Sequence, residues 1–366
     1  MTSGRPRALV ALMGLIVPLI AGAAVTSAAS TTAAARGLHV VGNRLLDGSG
    51  RRLILRGVNR SGTEYACIQG FGIFDGPSGA RSVAAIARWH VNFVRVPLNE
   101  DCWLGINTPA GRGGAPYRRI VAAYVRALHA AHLYVILDLH LAAPGATAAK
   151  VQLPMADAGH APAFWRSVAR RFRTDHALIF DLFNEPFGIS WGCWQRGCEA
   201  PAQAGVPAYR TAGMQALVTA VRSTGARQPL LLGGLQYSSE LGGWAAHLPR
   251  DPRHQEIAAQ HNYGGLSPCD AGCRAQVLAV AGRHPVLFSE LGETDCAHGY
   301  VDQMLRFADR HRLGYLGWAW DATSAGGWTC SSGPALITAY DGSPTPYGIG
   351  LRDHLRGLGP ASPALP

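Results

Sequence analysis

The chain has 366 residues and a formal net charge of +10, and all but one of its 33 basic residues are arginine, Lys150 being the exception. That length exceeds one small domain but suits a single barrel of alternating strands and helices. A bias so uniform marks coding preference, and with no run of five or six basic residues and no nucleic-acid motif, nucleic acid is not an expected partner.

In chain order, Arg5 and Arg7 precede an apolar stretch over 8–25, and small residues follow through Ala35. This reads as a secretory signal and small-residue spacer over 1–35, removed on export. A membrane anchor is the rival, but the run is barely of bilayer length and is broken by Gly14, Pro18 and Gly22. A secreted, extracellular protein without stable membrane association is therefore expected. The eight cysteines, Cys67, Cys102, Cys193, Cys198, Cys269, Cys273, Cys296 and Cys330, all lie downstream. An even count in an exported chain implies disulfides, with many pairings open. Cys193/Cys198 and Cys269/Cys273 are close enough for small local loops, and Cys67/Cys102 and Cys296/Cys330 would then cross-link longer ones. A metal site is disfavoured, because neither C-x4-C nor C-x3-C has the usual ligand spacing.

Residues 38–48 read as a small β-hairpin, with Asp47-Gly48 as a turn signal. Short apolar strands then alternate with amphipathic helices. Strands are expected at 53–59, 92–97, 134–140, 179–185, 229–233, 256–261, 286–290 and 315–320. Helical patterns lie at 117–132, 161–173, 208–224 and 300–312, the first placing Ile120, Val121, Tyr124, Val125 and Leu128 on one face. Eight strand–helix repeats with near-continuous apolar strands predict an α/β fold, a single closed (β/α)8 barrel with a small N-terminal hairpin. No G-x-G-x-x-G or P-loop follows an early strand, so no nucleotide cofactor is expected. The barrel domain is expected to fill 36–356, with a flexible tail over 357–366 and no linker or appended module. Nothing in the pattern calls for an obligate oligomer, and a monomer is expected.

The stretch Phe180-Asp181-Leu182-Phe183-Asn184-Glu185-Pro186 carries the strongest signal. Proline closes a strand because it cannot donate to the ladder, which leaves Glu185 at the carboxyl end, the reactive face of such a barrel. Pro285-Val286-Leu287-Phe288-Ser289-Glu290 places a second glutamate in a similar setting. Arg95, His140, Asn184, His261 with Tyr263, and Trp318 also fall at or near the ends of predicted strands. A lone buried His or Arg on a strand is ordinary, but six strands converging on one rim point to a site. Two carboxylates of this kind are what cleavage of a glycosidic bond needs, one as proton donor and one as nucleophile or base. The donor must stay protonated, which burial favours, and the nucleophile must stay ionised, which a nearby guanidinium favours. Arg95 is the candidate for that second task, and Tyr263 for a hydrogen bond to the same carboxylate. Asn184 is placed to bind the neighbouring sugar hydroxyl, and Trp318 offers a flat platform for the ring.

Together Leu55-Arg56-Gly57-Val58-Asn59, Arg95-Val96-Pro97, Asp138-Leu139-His140, Asn184-Glu185-Pro186, His261-Asn262-Tyr263, Ser289-Glu290-Leu291-Gly292 and Trp318 resemble glycoside hydrolase family 5, the endoglucanase (cellulase) family. The resemblance runs in order over roughly 38–350. It implies a (β/α)8 barrel and retaining double displacement on a β-linked polysaccharide or oligosaccharide, most directly a β-1,4-glucan, without a cofactor or catalytic metal. It matches Glu185 to the acid/base and Glu290 to the nucleophile. Arg95, His140, Asn184, His261, Tyr263 and Trp318 match the supporting residues.

Leu291 stands where the family more usually has Phe. Glu293 rivals Glu290 but is expected in the loop after Gly292, and Trp320 rivals Trp318. Glu64, Glu100 and Asp101 fall in rim loops and are read as solvated loop charges, with binding of sugar hydroxyls as the alternative. Trp191 and Trp194, beside the local Cys193/Cys198 loop, are read as an aromatic ledge for sugar, with packing under the loop as the alternative. Trp103, Trp244 and Trp328 are further cleft candidates, while Trp89 and Trp165 sit in helical patterns and belong to the core. Other substrates with the same chemistry are mannan, mixed-linkage or β-1,3-glucan, and a glycolipid. A metal-dependent hydrolase built on Asp138, His140 and His261 lacks the expected His-x-His after the first strand. A non-catalytic carbohydrate-binding barrel is the reading from another class, and the presence of both glutamates argues against it.

Overall fold

The computed structural model describes residues 1, 2, 4, 37–322, 330 and 332–359. The body of the expected signal, Trp328 and the tail beyond 359 lie outside them. By its contacts the chain divides after Ala34, and the barrel lies within Ala35–Pro366. Among the described residues no helix is long and apolar enough to cross a membrane.

A hairpin, β1 (His39–Val41) and β2 (Arg44–Leu46), leads in. Six barrel strands then appear among other elements: β3 (Arg56–Asn59), β4 (Phe93–Asn99), β5 (Tyr134–Leu141), β6 (Leu178–Asp181), and, after the short pair β7 (Glu199–Ala200) and β8 (Tyr209–Arg210), β9 (Leu230–Gly233) and β10 (Glu256–Gly264). Strands β11 (Val286–Glu293) and β12 (Gly314–Gly317) complete it, and β13 (Ile337–Ala339) and β14 (Ser343–Pro344) form a small outer pair. The eight close in chain order, all parallel, with β12 pairing back to β3. All eight expected strands are present, so the predicted fold class is the observed one.

Two strands end earlier than the pattern suggests. Strand β6 stops at Asp181, and β12 stops at Gly317. Beyond those points the chain still bonds to its neighbours, through Asn184 N–H to the Leu139 carbonyl (3.0 Å) and Trp318 N–H to the Leu291 carbonyl (2.9 Å), but leaves the regular ladder. Glu185 itself has φ of 51°, a left-handed conformation costly for a residue with a Cβ and common at functional sites.

Side chains alternate along a strand, so each strand sends every second residue inward. The inner cluster of Phe93, Ile136, Ile179, Leu231, Ile257, Leu287 and Leu316 fills one part of the barrel and is joined by Leu38 and Leu45 of the hairpin. The same alternation carries Ile136 to Asp138 and His140, Ile179 to Asp181, and Phe93 to Arg95. The interior therefore turns from apolar to charged toward the carboxyl ends. A larger cluster packs the opposite strand faces against the helices. In the helix Ala115–Ala130, Ile120 is exposed, contrary to expectation. It lies roughly a quarter turn from the centre of the stripe formed by Tyr117, Val121, Tyr124, Val125 and Leu128.

Four disulfides, Cys67–Cys102, Cys193–Cys198, Cys269–Cys273 and Cys296–Cys330, join the expected pairs and leave no cysteine free.

Candidate active site

The carboxyl ends of the strands surround a cleft of about 770 Å³. His140, Asn184, Glu185, Tyr263, Glu290 and Trp318 line it. Arg95 and His261 stand behind them, fully or almost fully buried. All eight residues singled out in the sequence are thus brought to one rim.

Arg95 organises the site. Its Nη1 donates to Glu290 Oε1 (2.7 Å) and to Asn59 Oδ1 (3.0 Å). Its Nε donates to Asp181 Oδ2 (2.9 Å), and its Nη2 reaches Asp138 Oδ2 (3.0 Å) and Asn184 Oδ1 (2.9 Å). One buried cation thus faces three carboxyl groups, an excess of two negative charges if all were ionised. Burial opposes the Arg95 charge, but Asp138, Asp181 and Glu290 outweigh it and hold its pKa above the ordinary range. The aspartates absorb the excess. Burial pushes Asp138 up to about 7, against the pull of Arg95 and with added repulsion from Glu185. Burial likewise pushes Asp181 up to about 8, Arg95 opposing and Asp138 adding to the rise. Oδ1 of each aspartate has no hydrogen-bond partner among the described residues.

Glu290 also accepts from the Tyr263 hydroxyl. Burial and the Glu290 charge raise the Tyr263 pKa well above that of free tyrosine, so this phenol remains a donor. Glu185 is 21% exposed at its side chain, facing the cleft. Burial raises its pKa to about 7, only partly offset by His140 and Arg95. His261 lies between the two glutamates, its Nδ1 3.0 Å from Glu185 Oε1 and 3.4 Å from Glu290 Oε2, and its Nε2 2.9 Å from Ser289 Oγ. Burial drives the His261 pKa down to about 3, so the ring is neutral and bridges the carboxyls without adding charge. One oxygen of Glu185 and one of Glu290 lie within 4.8 Å of each other.

His140 places Nδ1 2.7 Å from Asp138 Oδ2, and its ring stacks on Trp318 with centroids 5.2 Å apart. Asn184 is held by Arg95 and by Gln152, which accepts from Asn184 Nδ2 (3.2 Å) and donates to its carbonyl (2.6 Å).

The rivals separate clearly. Glu293 is the last residue of β11 rather than a loop residue, and its carboxylate accepts the Tyr300 and Val301 backbone N–H groups (3.2 and 3.1 Å) at the start of the helix Gly299–His311. Trp320 is buried edge-on against Trp89. The aromatic ledge is overturned. Trp194 is fully buried and donates to the Gly233 carbonyl (2.9 Å), and Trp191 packs on Trp194 and His247. Trp103 and Trp244 are fully buried as well, like Trp89 and Trp165, because their ring area is better removed from water beneath the loops.

Glu64, Glu100 and Asp101 are buried, not solvated. Glu64 lines the cleft and accepts from Ser61 Oγ (2.5 Å) and Gly62 N–H (2.7 Å), with burial raising its pKa to about 7. Glu100 and Asp101 begin a short helix capped by Asn99 and bond to the Ala143 and Ala149 backbone. Among the described residues two trios carry atoms close enough to share a cation, Glu185/His261/Glu290 and Glu100/Asp101/His160. Gln152, Asn59, Ser289, Asp181 and Tyr237 also contact the site residues or line the cleft, beyond those expected from the sequence. Of these, Asp181 is visible as a charge inside an apolar strand, and Asn59 and Ser289 stand within the family motifs.

The chain is 25% identical over 331 residues to a mannan endo-1,4-β-mannosidase from Streptomyces lividans, spanning 86% of this chain and 73% of that protein. It is 27% identical over 327 residues to an endoglucanase from the same organism, of which it spans 63%, under two thirds of that relative's length. The fold matches a β-mannanase from Streptomyces thermolilacinus crystallised with mannohexaose (TM-score 0.64, 24% identity, 89% of this chain and 96% of that one). It also matches a β-glucanase from Saccharophagus degradans in complex with cellotetraose (TM-score 0.64, 18% identity, 88% and 93%). Residues 57–324 match the cellulase model of glycosyl hydrolase family 5, and the chain belongs to that family of glycoside hydrolases.

Proposed function

We propose that this protein is a secreted, retaining endo-β-glycosidase that cleaves a β-1,4-glucan, with Glu185 as acid/base and Glu290 as nucleophile. The observation that carries this reading is the approach of the two carboxylates, within 4.8 Å at their nearest oxygens. Retaining enzymes hold their carboxyl groups about 5–5.5 Å apart, whereas inverting ones leave about 6.5–9.5 Å for a water.

In the first step a Glu290 oxygen attacks the anomeric carbon, the bond to the leaving oxygen breaks, and that oxygen takes the Glu185 proton. A glycosyl ester of Glu290 results. In the second step Glu185, now a carboxylate, removes a proton from water as the water oxygen attacks the same carbon and frees Glu290. Arg95 and Tyr263 orient the nucleophile, Asn184 faces the sugar hydroxyl beside the reacting carbon, and Trp318 supports the ring. The acid must start protonated, and Glu185 has a pKa of about 7. Accordingly, kcat/KM is expected to fall about tenfold per pH unit above roughly pH 7. A rate still flat at pH 9 would remove Glu185 from this role.

Export is supported by the apolar run over 8–25 behind Arg5 and Arg7 and by four disulfides, which persist in oxidising compartments. The domain boundaries of the sequence reading, a removed 1–35 and a catalytic 36–356, stand as part of this proposal. Mannan is a second reading, favoured because the chain spans more of the Streptomyces lividans mannosidase than of the endoglucanase. Reducing-sugar release from carboxymethylcellulose, barley β-glucan, mannan, xylan and laminarin, with Glu185→Ala beside the wild type, tests both. Release from a glucan that the variant abolishes is expected. Release from mannan alone would move the substrate, and silence on all five would overturn the proposal.

A further inference from the structure

The Asn184 amide is held from two sides. Its Oδ1 accepts from Arg95 Nη2 (2.9 Å), which turns Nδ2 away from the arginine. Gln152 then takes Asn184 by two bonds. Its Oε1 accepts from Asn184 Nδ2 (3.2 Å), and its Nε2 donates to the Asn184 carbonyl (2.6 Å). A carbonyl only accepts, so it fixes which end of the Gln152 amide faces it, and that presents Oε1 to Nδ2. An amide NH2 carries two hydrogens. One of the Asn184 pair is committed to Gln152. The second has His140 Nε2 beside it at a long 3.4 Å and is available to a sugar oxygen in the cleft. Gln152 is itself held, in the segment that follows β5. The Ala149 carbonyl accepts from Asn99 Nδ2 (2.8 Å), and the Ala149 N–H donates to Asp101 Oδ2 (3.0 Å). The Pro154 carbonyl accepts from the N–H of Phe187 (3.1 Å), two residues past Glu185. Buried Asn99 and Asp101 on one side and the chain beyond the acid on the other thus fix Gln152 against Asn184.

We propose that Gln152 is a positioning residue for the transition state, setting the rotation of the Asn184 amide so that its second N–H meets the 2-hydroxyl of the reacting sugar. The proposal rests on the retaining reading above, in which that hydroxyl lies against Asn184. An asparagine anchored at Oδ1 alone still rocks about its last side-chain bond, because the terminal torsion of Asn has a broad well. The anchor at Nδ2 removes that freedom. A hydrogen bond to the 2-hydroxyl strengthens as the oxocarbenium-like transition state forms, so a misdirected donor costs rate more than ground-state binding. The bond from Gln152 to the Asn184 carbonyl also fixes the peptide that leads into Glu185, whose φ is 51°. Gln152 is half-buried and lines the cleft, which makes a direct contact with sugar the rival reading.

The test uses two substrates. One is the 2,4-dinitrophenyl β-glycoside of the disaccharide matching the polymer that the wild type hydrolyses, cellobiose for glucan or mannobiose for mannan. The other is its analogue lacking the 2-hydroxyl on the reacting ring. Dinitrophenolate departs without a proton, so kcat/KM reports attack by the nucleophile without the acid. Gln152→Ala is expected to lower kcat/KM about tenfold on the hydroxylated substrate and less than about twofold on the deoxy analogue. Gln152→Met, which keeps the length of the side chain but neither bond, is expected to match it. Asn184→Ala is expected to show the same substrate pattern, and adding Gln152→Ala to it to cost nothing further. Retained hydrolysis of the deoxy analogue shows that each variant is folded. An unchanged rate of Gln152→Ala on the hydroxylated substrate would overturn the proposal, as would equal losses on both substrates. Losses that add in the double variant would overturn it too, and make Gln152 a sugar contact in its own right. Glu185 and Glu290 keep their roles in each of those cases. A wild type silent on every polymer would instead remove the retaining reading and this proposal with it.

Discussion

Glu290→Gln is expected to lower turnover by about four orders of magnitude or more, with unfolding midpoint close to that of the wild type. Glutamine keeps the shape of the side chain and an oxygen for Arg95 Nη1, now 2.7 Å from Glu290 Oε1. It loses the anionic oxygen that must bond to the anomeric carbon. The fold keeps its packing because Glu290 is not a member of the inner barrel cluster. The measurement is kcat on the active polysaccharide, alongside thermal unfolding of both proteins. Near-normal turnover would sink the assignment and bring Glu293 forward, the nearest rival in sequence. Glu293 is poorly placed for the task, since both its oxygens already accept backbone N–H groups at a helix start.

Arg95→Met is expected to cost about 3–5 kcal/mol of stability, because it removes the single cation between Asp138, Asp181 and Glu290 and leaves buried carboxyls without their partner. The two aspartates can take up protons, since both already titrate near neutrality, which places the loss toward the lower end at acid pH and the upper end above pH 8. Arg95→Lys should fall between, keeping charge but not the fork that reaches five acceptors at once. Denaturant unfolding at pH 6 and pH 8.5 reads both predictions. A methionine variant within about 1 kcal/mol of wild type at both pH values would mean that the carboxyls are satisfied without the arginine.

The barrel and its rim were legible because they depend on local pattern. A near-continuous apolar strand is buried on both faces wherever it lies in a parallel sheet, and in-register closure then brings all the strand ends to one side. Arg95, His140, Asn184, Glu185, His261, Tyr263, Glu290 and Trp318 could be named from their places at those ends. Two of the predicted strands ran past the observed ends because apolar residues alone do not reveal where the ladder breaks.

What escaped the sequence was everything decided by partners distant along the chain. Local spacing does not say that Trp103, Trp194 and Trp244 lie under loops rather than in the cleft, or that Glu100 and Asp101 are buried against the 143–149 backbone. Nor does it say that one guanidinium collects Asp138, Asp181 and Glu290, residues brought together only by barrel closure, or that Tyr237 meets Phe187 fifty residues earlier. The sequence by itself determined the alternation, the rim and the two glutamates, because side-chain period and proline chemistry act within a few residues. The tertiary structure alone decided burial, and burial is what raises Glu185 to about 7, lowers His261 to about 3 and turns a row of strand ends into a site.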